Sequence, residues 1–236
     1  MIPLTKVFFR PLNMTYFTPD FIQFYQELEI NNNRDWFNDN RKRYESNVRD
    51  PFKAFTSELI IELNKRGADF DIAPKDCIFR INRDVRFSKD KTPYKPHSSA
   101  ALAKGGKKDR ETPGMYIAFS GRYAQMGGGL YGIEKENLYF LREYIYNHQD
   151  EFLKIINEKA FTSVFGEIRG ERNKIIPKEF KSALERVPDI ANKHFFYLHE
   201  HQPSVVLQAD LMDQVLHHWE AAGQLRAFLS KGISST

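Results

Sequence analysis

Between residues 80 and 95 the chain reads RINRDVRFSKDKTPYK, in which six of sixteen positions are Lys or Arg and two are Asp. With a period of two, Arg80, Asn82, Asp84 and Arg86 share one strand face, and Phe79, Ile81, Val85 and Phe87 share the other. A guanidinium presents a planar fork that suits carboxylate or phosphate, and a neighbouring Asp can hold such a fork still. Arg83 falls on the apolar face, which requires a bulge, a side chain that snorkels to an edge, or a buried carboxylate partner.

Downstream, Pro93 and Pro96 push the residues before them into extended geometry, so 92–96 is expected to run as an ordered arm. Arg80, Arg83, Arg86, Lys89, Lys91 and Lys95 are expected to line an anion pocket, with Ser88, Thr92 and His97 as further donors. Asp84 would orient Arg80 or Arg86, or act as a base if a reaction occurs. The same charges also fit an intramolecular salt-bridge strip answering the acidic helices.

A second feature is GGGLYG at 127–132, which formally satisfies G-x-G-x-x-G. The segment before it is not a buried parallel strand and no second βαβ unit follows, so a dinucleotide fold is not indicated. No Walker lysine follows either. The run is expected to form a turn in which backbone passes close to a neighbour or ligand, with N–H groups at Gly128 and Gly129 facing the arginine strand.

Other reactive side chains give less. His199 and His201 share a strand face with His194 nearby and Glu200 on the other side, but no third ligand is identifiable and no metal site is predicted. Nothing has the form of a nucleophile elbow, an H-E-x-x-H helix or a kinase loop set. No cofactor is indicated.

These residues need a scaffold. The 236 residues are 41% hydrophobic and include 20 Phe, 11 Tyr and 2 Trp, which suits a packed core. Helices are expected from Thr18, from the Asn caps at 31–33, and from Asp50 and Pro51 to near Gly67. Strands are expected at 77–87, 98–103, 115–120, 194–201 and 204–207. A helix should carry Leu138 to Ile155, and a last one, capped by Asp210, Leu211 to Leu225. Strands bracketed by helices indicate an α+β fold: a central, mostly antiparallel sheet flanked by N-terminal and C-terminal helices, with 1–236 as a single domain.

Charge is localised. Residues 80–110 hold ten basic and three acidic residues, a net +7 in a chain whose formal net charge is +4. A nucleic-acid coat would spread such charge, whereas a compact anion site would not. The lone Cys77 excludes an intramolecular disulfide, and the start MIPLTKVFFRPLNM does not read as a signal peptide. With no stretch near the ~20 apolar residues of a membrane span, no membrane partner is expected and the cytoplasm is the expected compartment.

NNNRDWFNDNRKRYE, FRINRDVRFSKDKTPYKPH and GGGLYGIEKENLYFLRE occur in this order, and through them the chain resembles the bacterial family catalogued as domain of unknown function 2461. The resemblance runs from Thr18 to Leu229. It implies a single domain whose site lies among Asn33, Arg34, Trp36 and Phe37, then Arg80 to Lys95, then Gly127 to Tyr131. It brings no activity, substrate or cofactor, and the chain has Asn82 where the resemblance would place an aromatic.

The leading functional expectation is therefore a site for a phosphorylated or carboxylated small molecule on the basic strand and arm at 80–97. The alternatives are a nucleic-acid-binding module, with Phe87, Tyr94 and Tyr116 as stacking surfaces, and a protein-interaction scaffold using the same basic edge.

Overall fold

Pro19 opens the first helix, α1 (Pro19–Ile30), because its fixed φ suits a first helical position and its missing N–H costs nothing there. Phe21, Phe24, Tyr25 and Leu28 then fall on one face and are all buried. The computed structural model describes residues 15–234, and the opening MIPLTKVFFRPLNM lies outside the described residues. Asn33 caps α2 (Arg34–Asp39), its side chain accepting from the Trp36 N–H at 3.0 Å. The chain continues through α3 (Arg41–Tyr44) and a π-helical turn (Glu45–Arg49) into α4 (Asp50–Lys65). Gly67, at φ +79°, ends that run, as its sequence position indicated.

A short α5 (Pro74–Cys77) precedes the irregular arm and then the sheet: β1 (His97–Leu102), β2 (Gly114–Ser120), β3 (Ala124–Leu130) and, much later, β4 (Phe195–His201). All neighbours are antiparallel, in the order β1-β2-β3-β4. Between β3 and β4 lie α6 (Lys135–Asn147), α7 (Gln149–Ile156) and α8 (Lys159–Phe165). After β4 come α9 (Leu211–Ala221) and α10 (Gly223–Ser234). The fold is α+β, as the sequence indicated. Among the described residues no helix is long and apolar enough to cross a membrane.

Alternation sorts the sheet into two faces. Ala100, Leu102, Met115, Ile117, Phe119, Ala124 and Met126 point into one buried cluster with α1, α4 and α9. Phe17 wedges into it, its ring 4.5 Å from Phe21 and 5.8 Å from Phe119. Each such buried Phe contributes about 2–3 kcal/mol. Leu130, Phe195 and Tyr197 continue the same face into a second cluster with α6, α7, α8 and α10. Strand β3 thus feeds both clusters, and the opposite sheet face remains for a site.

Several local expectations are corrected. Residues 77–87 do not form a regular strand. The chain doubles back instead, with isolated bridges Ile78↔Ala100 and Asn82↔Tyr94 and bonds from Arg83 N to Pro93 O (2.8 Å) and Lys95 N to Ile81 O (2.8 Å). Pro93 and Pro96 have no N–H to offer, so the ladder cannot propagate. The glycine run is not a turn either: Gly128 and Gly129 pair with Met115 and Gly114 on one side and Tyr197 and Phe196 on the other. The apolar run at 204–207 is part of a 3-10 turn (Pro203–Leu207), closed by Val205 N to Gln202 O at 3.1 Å. Both long helical periods are broken in two, at His148 and at Ala222.

Candidate anion-binding cleft

The arm's charges are engaged mostly with one another. Arg83 pairs with Asp90 and the Thr92 hydroxyl, which answers its place on the apolar face. Asp90 also takes the Thr92 N–H at 2.9 Å. Arg86 donates Nε and Nη2 to the two oxygens of Asp84 at 2.9 and 2.7 Å. Lys91 Nζ donates to Val85 O at 2.9 Å. The Arg86 guanidinium holds the Asp84 carboxyl down at about 2, and the Thr92 N–H followed by Arg83 does the same for Asp90. The ion pairs lie within the arm and do not reach the acidic helices. Arg80 and Lys89 are exposed, and among the described residues neither has a carboxylate partner. At the arm's base Tyr94 is buried, stacked on Phe37 at 4.0 Å.

A cleft of about 530 Å³ lies beside this arm, on the sheet face turned away from the two clusters. Lys95 and His97 enter from the end of the arm and the start of β1, followed by Ser99 and Ala101. Tyr116 stands in register with Ala101, with Gly127 opposite, so the floor near that ring carries little side-chain bulk. Gly114, Gly128 and Gly129 line the cleft as bare backbone. A Cβ at Gly129, where φ is +108°, would come within 2.3 Å of Phe195 O, so glycine serves close strand approach there. Phe79, Tyr131 and Phe196 supply aromatic walls, and the 3-10 turn Gly106–Lys108 with its flanks adds Lys107, Asp109 and Arg110.

The balance of charge in this cleft is positive. Lys95 is half-buried, its Nζ 5.1 Å from the Phe79 ring, and among the described residues it has no carboxylate partner. Burial, and then Arg80, hold its ammonium below the usual lysine range. Burial and then Lys95 push His97 down to about 4, so the imidazole is neutral near pH 7, with the Tyr123 hydroxyl 3.3 Å from Nδ1. Arg110 donates to Tyr131 O at 3.5 Å and Lys107 to Lys75 O at 2.6 Å, so neither charge is neutralised there. Asp109 is the cleft's carboxylate. Burial raises it, but N–H groups of Gly105, Glu111 and Thr112 at 2.8–2.9 Å together hold it low and commit its oxygens to the turn. Three cations facing one committed carboxylate, with aromatic walls between, can hold an anionic group and an apolar or ring-shaped body together.

Residues 20–228 match the family described as "Conserved hypothetical protein (DUF2461)". The chain belongs to that family. No curated protein is matched by this sequence.

The DUF2461 match contains both arm and cleft, and the sequence-derived residues divide between them. Lys95, Gly128 and Gly129 line the cleft; Arg80, Arg83, Asp84, Arg86, Lys89 and Lys91 do not. Sequence reasoning missed Lys107, Arg110 and Phe196, and it read Tyr116 only as a stacking surface. Lys107 and Arg110 were visible in the +7 stretch, but their side of the sheet was not. The histidines form a separate group: His201 Nε2 lies 3.1 Å from His218 Nε2, and His199 Nδ1 lies 2.6 Å from Val164 O. Among the described residues no group of three or more His, Cys, Asp or Glu is placed to hold a metal ion.

Proposed function

We propose that this protein binds a phosphorylated or carboxylated small organic molecule in the sheet-face cleft. Its anionic group is received by Lys95, Lys107 and Arg110, and its body lies along Tyr116, Phe196 and the glycine floor. The observation that carries this reading is the partly desolvated Lys95, without a carboxylate partner among the described residues, inside a cleft of about 530 Å³. A cation in such a place is stabilised by an incoming anion far more than an exposed one would be. The 80–94 part of the arm acts as the braced support that delivers Lys95 and His97 to the rim. A thermal-shift screen against phosphorylated metabolites, carboxylates and simple oxyanions tests it. Ligand at a hundred times its Kd adds roughly 2.7 kcal/mol of stability. Silence across that panel would remove the reading.

A further inference from the structure

Phe87 is 95% exposed, the most exposed of the large apolar side chains among the described residues. It stands near the far end of the arm on a segment held by the Arg83–Asp90–Thr92 and Arg86–Asp84 contacts and the Lys91 bond to Val85 O. The ring is therefore displayed on a braced loop. Arg86 Cζ lies 5.9 Å from its centroid, and Lys89 is exposed two residues on.

We infer that the arm tip is a docking point for single-stranded nucleic acid, with Phe87 stacking on one base and the surrounding cations meeting the backbone. Six cations and two carboxylates leave the arm at net +4. Both carboxylates are paired with the arm's own arginines, so an incoming phosphate meets each of them beside a guanidinium and not as an unpaired negative charge. A protein interface needs a contiguous apolar core. Among the described residues the other strongly exposed apolar side chains, Ile30, Ile61, Tyr131 and Ile175, belong to other segments, so Phe87 is the one large apolar side chain that the arm itself displays. One ring among cations is the pattern that serves base stacking, which asks for a single π-face and tolerates any sequence. A lipid surface would engage one Phe weakly and needs further apolar anchors beside it. The structure separates this ring from the other two stacking candidates: Tyr94 is buried on Phe37, and Tyr116 belongs to the cleft. The inference is independent of the cleft ligand.

The test is fluorescence anisotropy of an end-labelled oligothymidylate and oligouridylate with the full-length protein at low and moderate salt. Binding should weaken as salt rises. Phe87→Ala should weaken it roughly 5- to 150-fold, because a stacked base contributes about 1–3 kcal/mol. Phe87→Trp should retain binding and show quenched indole emission on complex formation. Because the ring is 95% exposed, circular dichroism should show both variants folded. Absence of oligonucleotide binding at low salt, or a Phe87→Ala protein that binds like the parent, would overturn the inference. Phe87-dependent capture by anionic phosphatidylserine vesicles with no oligonucleotide binding would overturn it in favour of a membrane surface.

Discussion

Asn32 grips the backbone of Tyr94 from both sides: its Nδ2 donates to Tyr94 O at 2.9 Å, and its Oδ1 accepts the Tyr94 N–H at 3.0 Å. The amide side chain thus acts as a one-residue strand partner, tying the α1–α2 junction to the base of the arm next to Lys95. Replacing it with Ala leaves two part-buried backbone groups without partners, which costs about 1–3 kcal/mol. We expect Asn32→Ala to lower the urea midpoint and to accelerate hydrogen exchange at the Tyr94 amide. Unchanged exchange there would show that the arm is anchored by the Phe37 stack alone.

The Arg86–Asp84 pair is bidentate but solvent-exposed, with Arg86 76% and Asp84 45% exposed. Exposed pairs contribute little, so Arg86→Ala should leave the urea midpoint nearly unchanged. It should also leave small-anion binding unchanged, because Arg86 does not line the cleft. Loss of small-anion binding in this variant would put the site back on the arm.

Stability should fall on the acid side in a window set by two imidazoles. Burial pushes both His97 and His218 down to about 4, with Lys95 assisting at His97 and His201 at His218. In the unfolded chain each titrates near 6.5. Between those values the unfolded state binds more protons than the native state, so stability declines as pH falls. The contribution is fully present above about 6.5 and exhausted below about 4, and each ring is worth roughly 3 kcal/mol at most. Denaturation midpoints of the parent and of His97→Gln across this window check it. The variant should show the shallower decline; identical slopes would contradict the assignment.

Cys77 is buried, and burial first of all raises its thiol to about 11. Thiolate is the reactive form. Native protein should therefore react very slowly with an aromatic disulfide reagent at neutral pH, and stoichiometrically once denaturant is added. Fast labelling of the native state would mean that α5, which ends at Cys77, opens readily.

Much of the scaffold was legible in the sequence because it follows from repeating patterns. Phe21, Phe24, Tyr25 and Leu28 had to share a helical face, and Met115, Ile117 and Phe119 a strand face, wherever the chain went. The arm was misread because residues 77–87 have strand-like composition, while the prolines that stop their pairing lie at 93 and 96, beyond the segment. Gly127 to Gly129 suggested a turn because glycine is permissive, yet tertiary pairing on both sides made them strand. The cleft drew on residues as distant as Phe79 and Leu198, so only the +7 charge of 80–110 hinted at it. Charge density located the neighbourhood, but it gave no means to tell Lys95, which enters the cleft, from Arg83, which pairs with Asp90.

The most direct test of the central claim is calorimetric titration of the best ligand from the thermal-shift screen into four proteins: the parent, Lys95→Met, Arg110→Met and Arg86→Ala. Methionine keeps most of the apolar stem while removing the charge, so both cleft variants should fold. A charge-assisted contact is worth about 1.5–3 kcal/mol, so each should lose roughly 10- to 150-fold in affinity while Arg86→Ala binds as the parent does. Parent-like binding by both Lys95→Met and Arg110→Met would contradict the assignment of the cleft.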